Sequence, residues 1–205
     1  MPRIVDHNRR KTAILFHAFG LFEEQGLADT TLTQIAQRCK IGRPTLYQYF
    51  RNKDEIFQFS IKYYTDNMFR RYQKISTQKI SVMQRLQEIF CSLANTMASE
   101  RFFLRSLVNY YAALCVAGRE KEFLAGIRRR TILFRRLLLK LMQEAEHNGE
   151  IPIGRARDVE ILMVLSQNIF FQVGVFERQY DRIIEQLIQS TLLGMTQAFS
   201  SFSAN

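Results

Sequence analysis

Apolar residues recur at three- and four-residue spacing along nearly the whole of this 205-residue chain, the pattern of helices with one buried face. It predicts an all-α fold of about nine helices. The first covers about residues 8–25, with a buried stripe of Ala13, Leu15, Phe16, Phe19 and Phe22, and Gly26 is placed to end it. Two short helices follow inside Thr31–Lys53. The others are expected at about 53–74, 82–99, 101–116, 121–147, 156–177 and 181–200. The run Asn148-Gly149-Glu150-Ile151-Pro152 stops the longest of them. There is no internal repeat and no low-complexity linker. The helix at about 53–74 is therefore expected to connect an amino-terminal domain, residues 1–53, to a carboxy-terminal one, residues 54–205.

The span TLTQIAQRCKIGRPTLYQYFRNK, Thr31 to Lys53, carries the most chemistry. Thr31 and Gln34 have N-cap and N3 spacing, so each side chain can satisfy a free amide of a first turn. Leu32, Ile35, Ala36 and Cys39 mark one buried face. Lys40-Ile41-Gly42 makes the turn, and Pro44 falls in the first turn of the next helix, where its missing N–H costs little. Leu46 and Phe50 then point inward, while Thr45, Tyr47, Gln48 and Tyr49 lie on or beside the outward face. Asn52 and Glu55 form a second cap-like pair that starts another helix. Two short helices around a Gly-containing turn are a helix-turn-helix signature, and its second helix fits the major groove. The same periodicity also suits an ordinary helical hairpin. The residue choice favours DNA: Arg43 and Gln48 are types that make bidentate contacts to base edges. Thr45, Tyr47 and Tyr49 are shared between bases and phosphates, and Pro44 governs how the helix enters the groove. Thr31, Thr33 and Lys53 are phosphate candidates, with Arg9, Arg10 and Lys11 beside them if the segment before the first helix reaches DNA.

These residues, with Ala13-Ile14-Leu15, Leu21-Phe22, Gln25-Gly26, Thr30-Thr31, Thr45-Leu46-Tyr47, Tyr49-Phe50 and Lys53-Asp54-Glu55, resemble the amino-terminal domain of TetR-family transcriptional regulators. The resemblance runs without a gap from about Arg9 to Tyr63. The turn reads Arg-Pro-Thr where many members have Lys-Gly-Thr or similar. Over the other 140 or so residues the likeness is architectural, a run of long helices. It implies a homodimeric repressor that binds a palindromic double-stranded DNA operator. The last two helices would form the dimer interface, and a small-molecule effector would be held among the middle helices.

The residues themselves bear on both expectations. The helix at about 156–177 is apolar nearly all round, and such a helix is buried on every side. Its Leu162, Leu165, Ile169 and Val173, with Ile184, Ile188, Leu192 and Met195 of the last helix, are the candidates for a twofold interface. The other reading makes both helices simply central in one chain. Gly174 and Gly194 would permit close helix approach. For the effector, Leu93, Met97, Phe102, Phe103, Tyr110, Tyr111, Phe134 and Phe171 offer large adaptable apolar surface, and Asn168 adds a polar group. Equally, each can be plain core.

Charge adds one complication. The formal net charge is +10, which suits a polyanion partner. Yet residues 101–140 hold 10 Lys/Arg against 2 Asp/Glu, a larger excess than the 10 against 6 of residues 1–62. The cluster Arg128, Arg129, Arg130, Arg135, Arg136 and Lys140 reads as a solvated helix face, or as a surface for an acidic effector or neighbour. Cys39, Cys91 and Cys115 are an odd, scattered set, expected as buried thiols in a reducing cytoplasm rather than as disulfides or redox sensors. No apolar run reaches transmembrane length and no apolar signal core follows Met1, so a cytoplasmic protein, on the nucleoid when DNA-bound, is expected. His7, His17 and His147 show no metal-ligand spacing, and no phosphate loop or nucleophile motif stands out. No cofactor, metal or enzymatic activity is expected. The rival class is a helical adaptor that binds a protein through the exposed aromatics of the third helix.

Overall fold

The computed structural model describes residues 3–176 and 182–197. Its nine α-helices are α1 Arg3–Gln25, α2 Leu32–Arg38, α3 Arg43–Tyr47, α4 Lys53–Ser76, α5 Val82–Ser99, α6 Arg101–Val116, α7 Glu120–His147, α8 Val159–Ile169 and α9 Arg182–Thr196. Among the described residues there is no strand, and no helix is long and apolar enough to cross a membrane. The chain forms two compact units, Met1–Asn67 and Met68–Asn205, and α4 carries it from one to the other.

In the first unit, α1 begins at Arg3, about five residues earlier than the pattern predicts, so Arg9, Arg10 and Lys11 belong to the helix. Its buried face is Ile14, Leu15, Ala18, Phe19, Leu21 and Phe22, a strict three–four spacing. Ala13 and Phe16, expected in that stripe, fall on its flanks and are exposed, although the Phe16 ring still meets Tyr63 edge-on at 5.8 Å. Phe19 and Phe22 pack against Phe57 of α4, with ring centroids 5.8 and 6.4 Å away. Gly26 ends α1 with φ +87°, a conformation that suits glycine.

In the second unit, α5 is the central element, in contact with α6, α7, α8 and α9. Its buried face runs through Leu86, Ile89, Phe90, Leu93 and Met97. Two carboxylates, one at the far end of α7 and one just beyond it, fix its start. Glu150 accepts from the Val82 and Met83 amides at 2.9 and 3.0 Å, which completes the Ser81–Gln84 capping box. Arg85, buried at the foot of α5, donates to the Ser76 carbonyl at the end of α4 and forms a two-pronged pair with Glu144 of α7. Such a pair binds strongly in place, but removing one partner would strand the other.

The eighth helix departs from the sequence expectation. Instead of one run over 156–177 there is a 3-10 turn, Arg155–Asp158, then α8, then a π-helical segment, Phe170–Val175. The extra residue per turn in a π segment re-aims the side chains beyond it. Residues 177–181 and 198–200, expected in the last two helices, lie outside the described residues, as do the surroundings of Gly174.

Candidate nucleic-acid interface

The α2–turn–α3 span forms as the motif requires. Thr31 caps α2: the Gln34 amide donates to its Oγ1 at 3.2 Å, and the Thr31 amide donates to Gln34 Oε1 at 2.7 Å. Gln34 is held in turn by Gln25 of α1. Arg38 and Glu24 form an ion pair that ties α2 to α1 and holds the exposed Glu24 carboxyl below the usual carboxylate range. Lys40 takes the left-handed conformation at φ +55° and turns the chain; Gly42 is extended and serves as the N-cap of α3. The tight-turn geometry thus falls on a lysine and not on the glycine.

Short α3, five residues with Pro44 in its first turn, is anchored by Leu46 and Phe50, both buried. That anchoring leaves Arg43, Pro44, Tyr47 and Gln48 on the open face, with Thr45 and Tyr49 half-covered. Arg43 Nη2 donates to Tyr47 Oη at 3.0 Å, and its guanidinium lies over the Tyr47 ring, 5.7 Å from the centroid. The arginine is thereby held beside the ring it shares a helix face with. Tyr49 stacks on His7 of α1 at 4.8 Å. Sequence reasoning did not anticipate this contact, because it started α1 after His7.

Two basic residues are tied inward more than their sequence positions suggest. Lys53 Nζ donates to the Leu27 and Ala28 carbonyls at 2.7 and 2.9 Å, so two of its three hydrogens brace the turn after α1. Lys11 Nζ sits over the Phe50 and Phe59 rings at 5.3 and 5.7 Å. Arg9 and Arg10 remain exposed, as does Thr31, while Thr33 is half-buried. The Asn52–Glu55 pair forms: Glu55 N donates to Asn52 Oδ1 at 2.8 Å, and Glu55 accepts from the Arg51 amide at 2.7 Å.

The second unit corrects several candidates. All eight residues expected at a twofold interface, Leu162, Leu165, Ile169, Val173, Ile184, Ile188, Leu192 and Met195, are buried within the single chain. They face its own core, so they cannot also face a copy. Apolar residues left open in this region include Ile161 and Val164 on α8, Phe171 in the π segment, and Ile183, Leu187 and Leu193 on α9, with Val164 64% and Leu193 61% exposed. On α9, Ile183, Leu187, Ser190 and Gly194 form one exposed stripe at four- and three-residue steps, and among the described residues nothing beyond its own helix backbone and chain neighbours lies within 4 Å of where a Cβ on Gly194 would be. The sequence could not choose between the two sides, because α8 is apolar on both.

Of the effector candidates, Leu93, Met97, Phe103 and Tyr110 are buried, and α5, α6, α7 and the π segment pack on one another. Tyr111 stacks on Phe123 at 5.3 Å. Phe134 is half-buried against Tyr72, a residue sequence reasoning passed over. Asn168 and Phe171 point outward, on the open side of their helix, and are removed from the set. The Phe102 side chain lies outside the described residues. Of the basic cluster, Arg135 pairs with Glu160 and Arg130 Nη1 donates to the Gly126 carbonyl, while Arg128, Arg129, Arg136 and Lys140 are exposed. The three cysteines are free, and none is fully buried as expected; Cys115 is exposed. Among the described residues, no group of three or more His, Cys, Asp or Glu could hold a metal ion.

Comparison with known proteins places this geometry. Residues 14–58 match the family model described as bacterial regulatory proteins, tetR family. The HTH-type transcriptional regulator HbdR of Aromatoleum sp. (strain CIB) is 32% identical over 90 residues, 44% of this chain and 37% of that protein. The HTH-type transcriptional repressor KstR2 of Mycobacterium tuberculosis is 32% identical over 83 residues, 40% of this chain and 42% of its own. The chain thus spans about two fifths of the length of the curated relatives it matches. The fold as a whole is similar to a TetR transcription regulator from Haloarcula marismortui, at TM-score 0.77 and 14% identity, covering 93% of this chain and 100% of that one. Over residues 14–58, the helix-turn-helix and its flanking helices, the chain thus carries the amino-terminal pattern of the tetR family of bacterial regulatory proteins.

Proposed function

We propose that this protein is a transcriptional regulator without enzymatic activity. It binds a palindromic operator as a homodimer and is released by a small molecule. The observation that carries the reading is the open face of α3, where Arg43 and Gln48 stand free of the core on a helix pinned by Leu46 and Phe50. One such helix reads only a few base pairs, so specific affinity requires two heads about a helical turn, or a multiple of it, apart. The exposed stripes of α8 and α9 supply a surface for that pairing. Effector release is a linkage: a ligand weakens DNA binding only if it prefers a geometry of the pair that DNA does not. Helix α4, continuous from Lys53 to Ser76, is the element through which such a preference would pass.

The test is binding to an inverted-repeat duplex from beside the protein's own gene, against random duplex, over a salt series. Preference for the repeat, steep salt dependence, and loss of preference in an Arg43→Ala/Gln48→Ala double variant are expected. Binding to neither duplex would defeat the regulator reading and leave the adaptor. The adaptor is disfavoured because the Tyr47 ring, its best anchor, is covered on one face by Arg43.

Lys53 has a double role in this reading. Its third hydrogen is the one available to a phosphate. Lys53→Ala is expected to lower the salt slope by about one on every sequence alike, and to cost about 1–2 kcal/mol of folding stability through the two stranded carbonyls. Denaturant melts and salt titrations measure the two losses separately.

A further inference from the structure

Tyr72 of α4 is 2% exposed, and its hydroxyl is buried with no hydrogen-bond partner. Buried polar groups are almost always satisfied, and one that is not costs the fold free energy that a phenylalanine would spare. The position is well defined. Its ring lies 5.5 Å from that of Phe134 of α7. The preceding residue, Arg71, donates to Thr96 Oγ1 and Ser92 Oγ of α5, at 3.0 and 3.5 Å. The unspent hydroxyl therefore belongs to a stretch of α4 that touches both α5 and α7.

We propose that Tyr72 is the orienting hydrogen-bond group of an effector site, and that the site takes a neutral, mainly apolar molecule bearing a single oxygen function. The inference rests on the effector reading above and narrows it. The ring pair of Tyr72 and Phe134 offers an apolar wall. A phenol with its proton held by burial, pushed well above the ordinary tyrosine range, is a neutral donor to a carbonyl or hydroxyl oxygen. A carboxylate fits less well: its buried charge would need a cation brought against it, and Arg71 Nη1 is turned to Thr96 Oγ1 and Ser92 Oγ of α5. One donor against an apolar wall fixes orientation and discriminates strongly against a molecule that lacks the oxygen.

The experiment compares 1-indanone with indane, the same body without the oxygen, by calorimetric titration of the full chain and of Tyr72→Phe. The ratio of the two affinities is expected to fall about fivefold in the variant, the worth of one hydrogen bond. The variant alone should melt at the same temperature as the parent or higher, since it loses no bond. Equal ratios in the two proteins, or no binding of 1-indanone to the parent, would overturn the proposal. So would a lower melting temperature for Tyr72→Phe, which would mean that the hydroxyl is already satisfied within the fold. A separate arm measures operator release by 1-indanone. Tyr72-dependent binding without release would keep the site and remove its role as an effector site.

Discussion

Val164→Asp is expected to leave a folded monomer that no longer holds its operator. In the single chain Val164 faces outward, so a carboxylate there stays hydrated and the core behind it is untouched. In a twofold pair built on the open side of α8, two such carboxylates would be brought into an apolar contact, each without a cation. Sedimentation should show one chain where the parent shows two, with unchanged helical circular dichroism and a similar melting temperature. Affinity for the palindrome should fall about 100-fold or more, because the second head no longer binds as a tethered partner. Leu162→Asp, two positions away and fully buried, is the contrast: it should unfold the second unit rather than split the pair. A Val164→Asp protein that remained dimeric at full operator affinity would put the interface elsewhere.

The next largest effect is expected at Arg43. A bidentate contact to a guanine edge is worth about 1–3 kcal/mol against the wrong base. Arg43→Ala should therefore lose that much on the operator and little on random DNA. Arg43→Lys separates fork from charge: it should keep most of the salt dependence and lose most of the preference. Tyr47→Phe removes the oxygen to which Arg43 Nη2 donates but keeps the ring beneath it, so only a small loss is expected. Equal losses on operator and random DNA for Arg43→Ala would reassign the residue to the phosphates.

Much of the amino-terminal unit was legible in the sequence because its signals are local. The Thr31–Gln34 and Asn52–Glu55 caps, Pro44 in a first turn, and the Leu46–Phe50 pair are each read within four residues and each formed. What could not be read there is where long side chains go. Lys53 and Lys11 looked like surface charges, yet one braces a turn 26 residues back and the other covers two rings. In the second unit the bounds of α5 and α6 followed from periodicity, but the facing of α8 did not, since a helix apolar all round has no moment to orient it. The π segment was equally hidden: nothing in Phe170–Val175 breaks a helical pattern. Nor does a sequence mark an unsatisfied hydroxyl, because Tyr72 is spaced like any core residue.

Glu150 gives the two units different histories during synthesis. Lys53 closes its bonds to a turn only 26 residues earlier, so the DNA-binding unit can complete its bracing soon after its own last residues leave the ribosome. The first amides of α5 wait for a carboxylate 68 residues downstream, and Arg85 for one 59 residues downstream. Between those moments the apolar face of α5 is translated but uncovered, at a pace of about 5–20 residues per second. The residues that close the first unit thus leave the ribosome several seconds before the carboxylates that anchor α5.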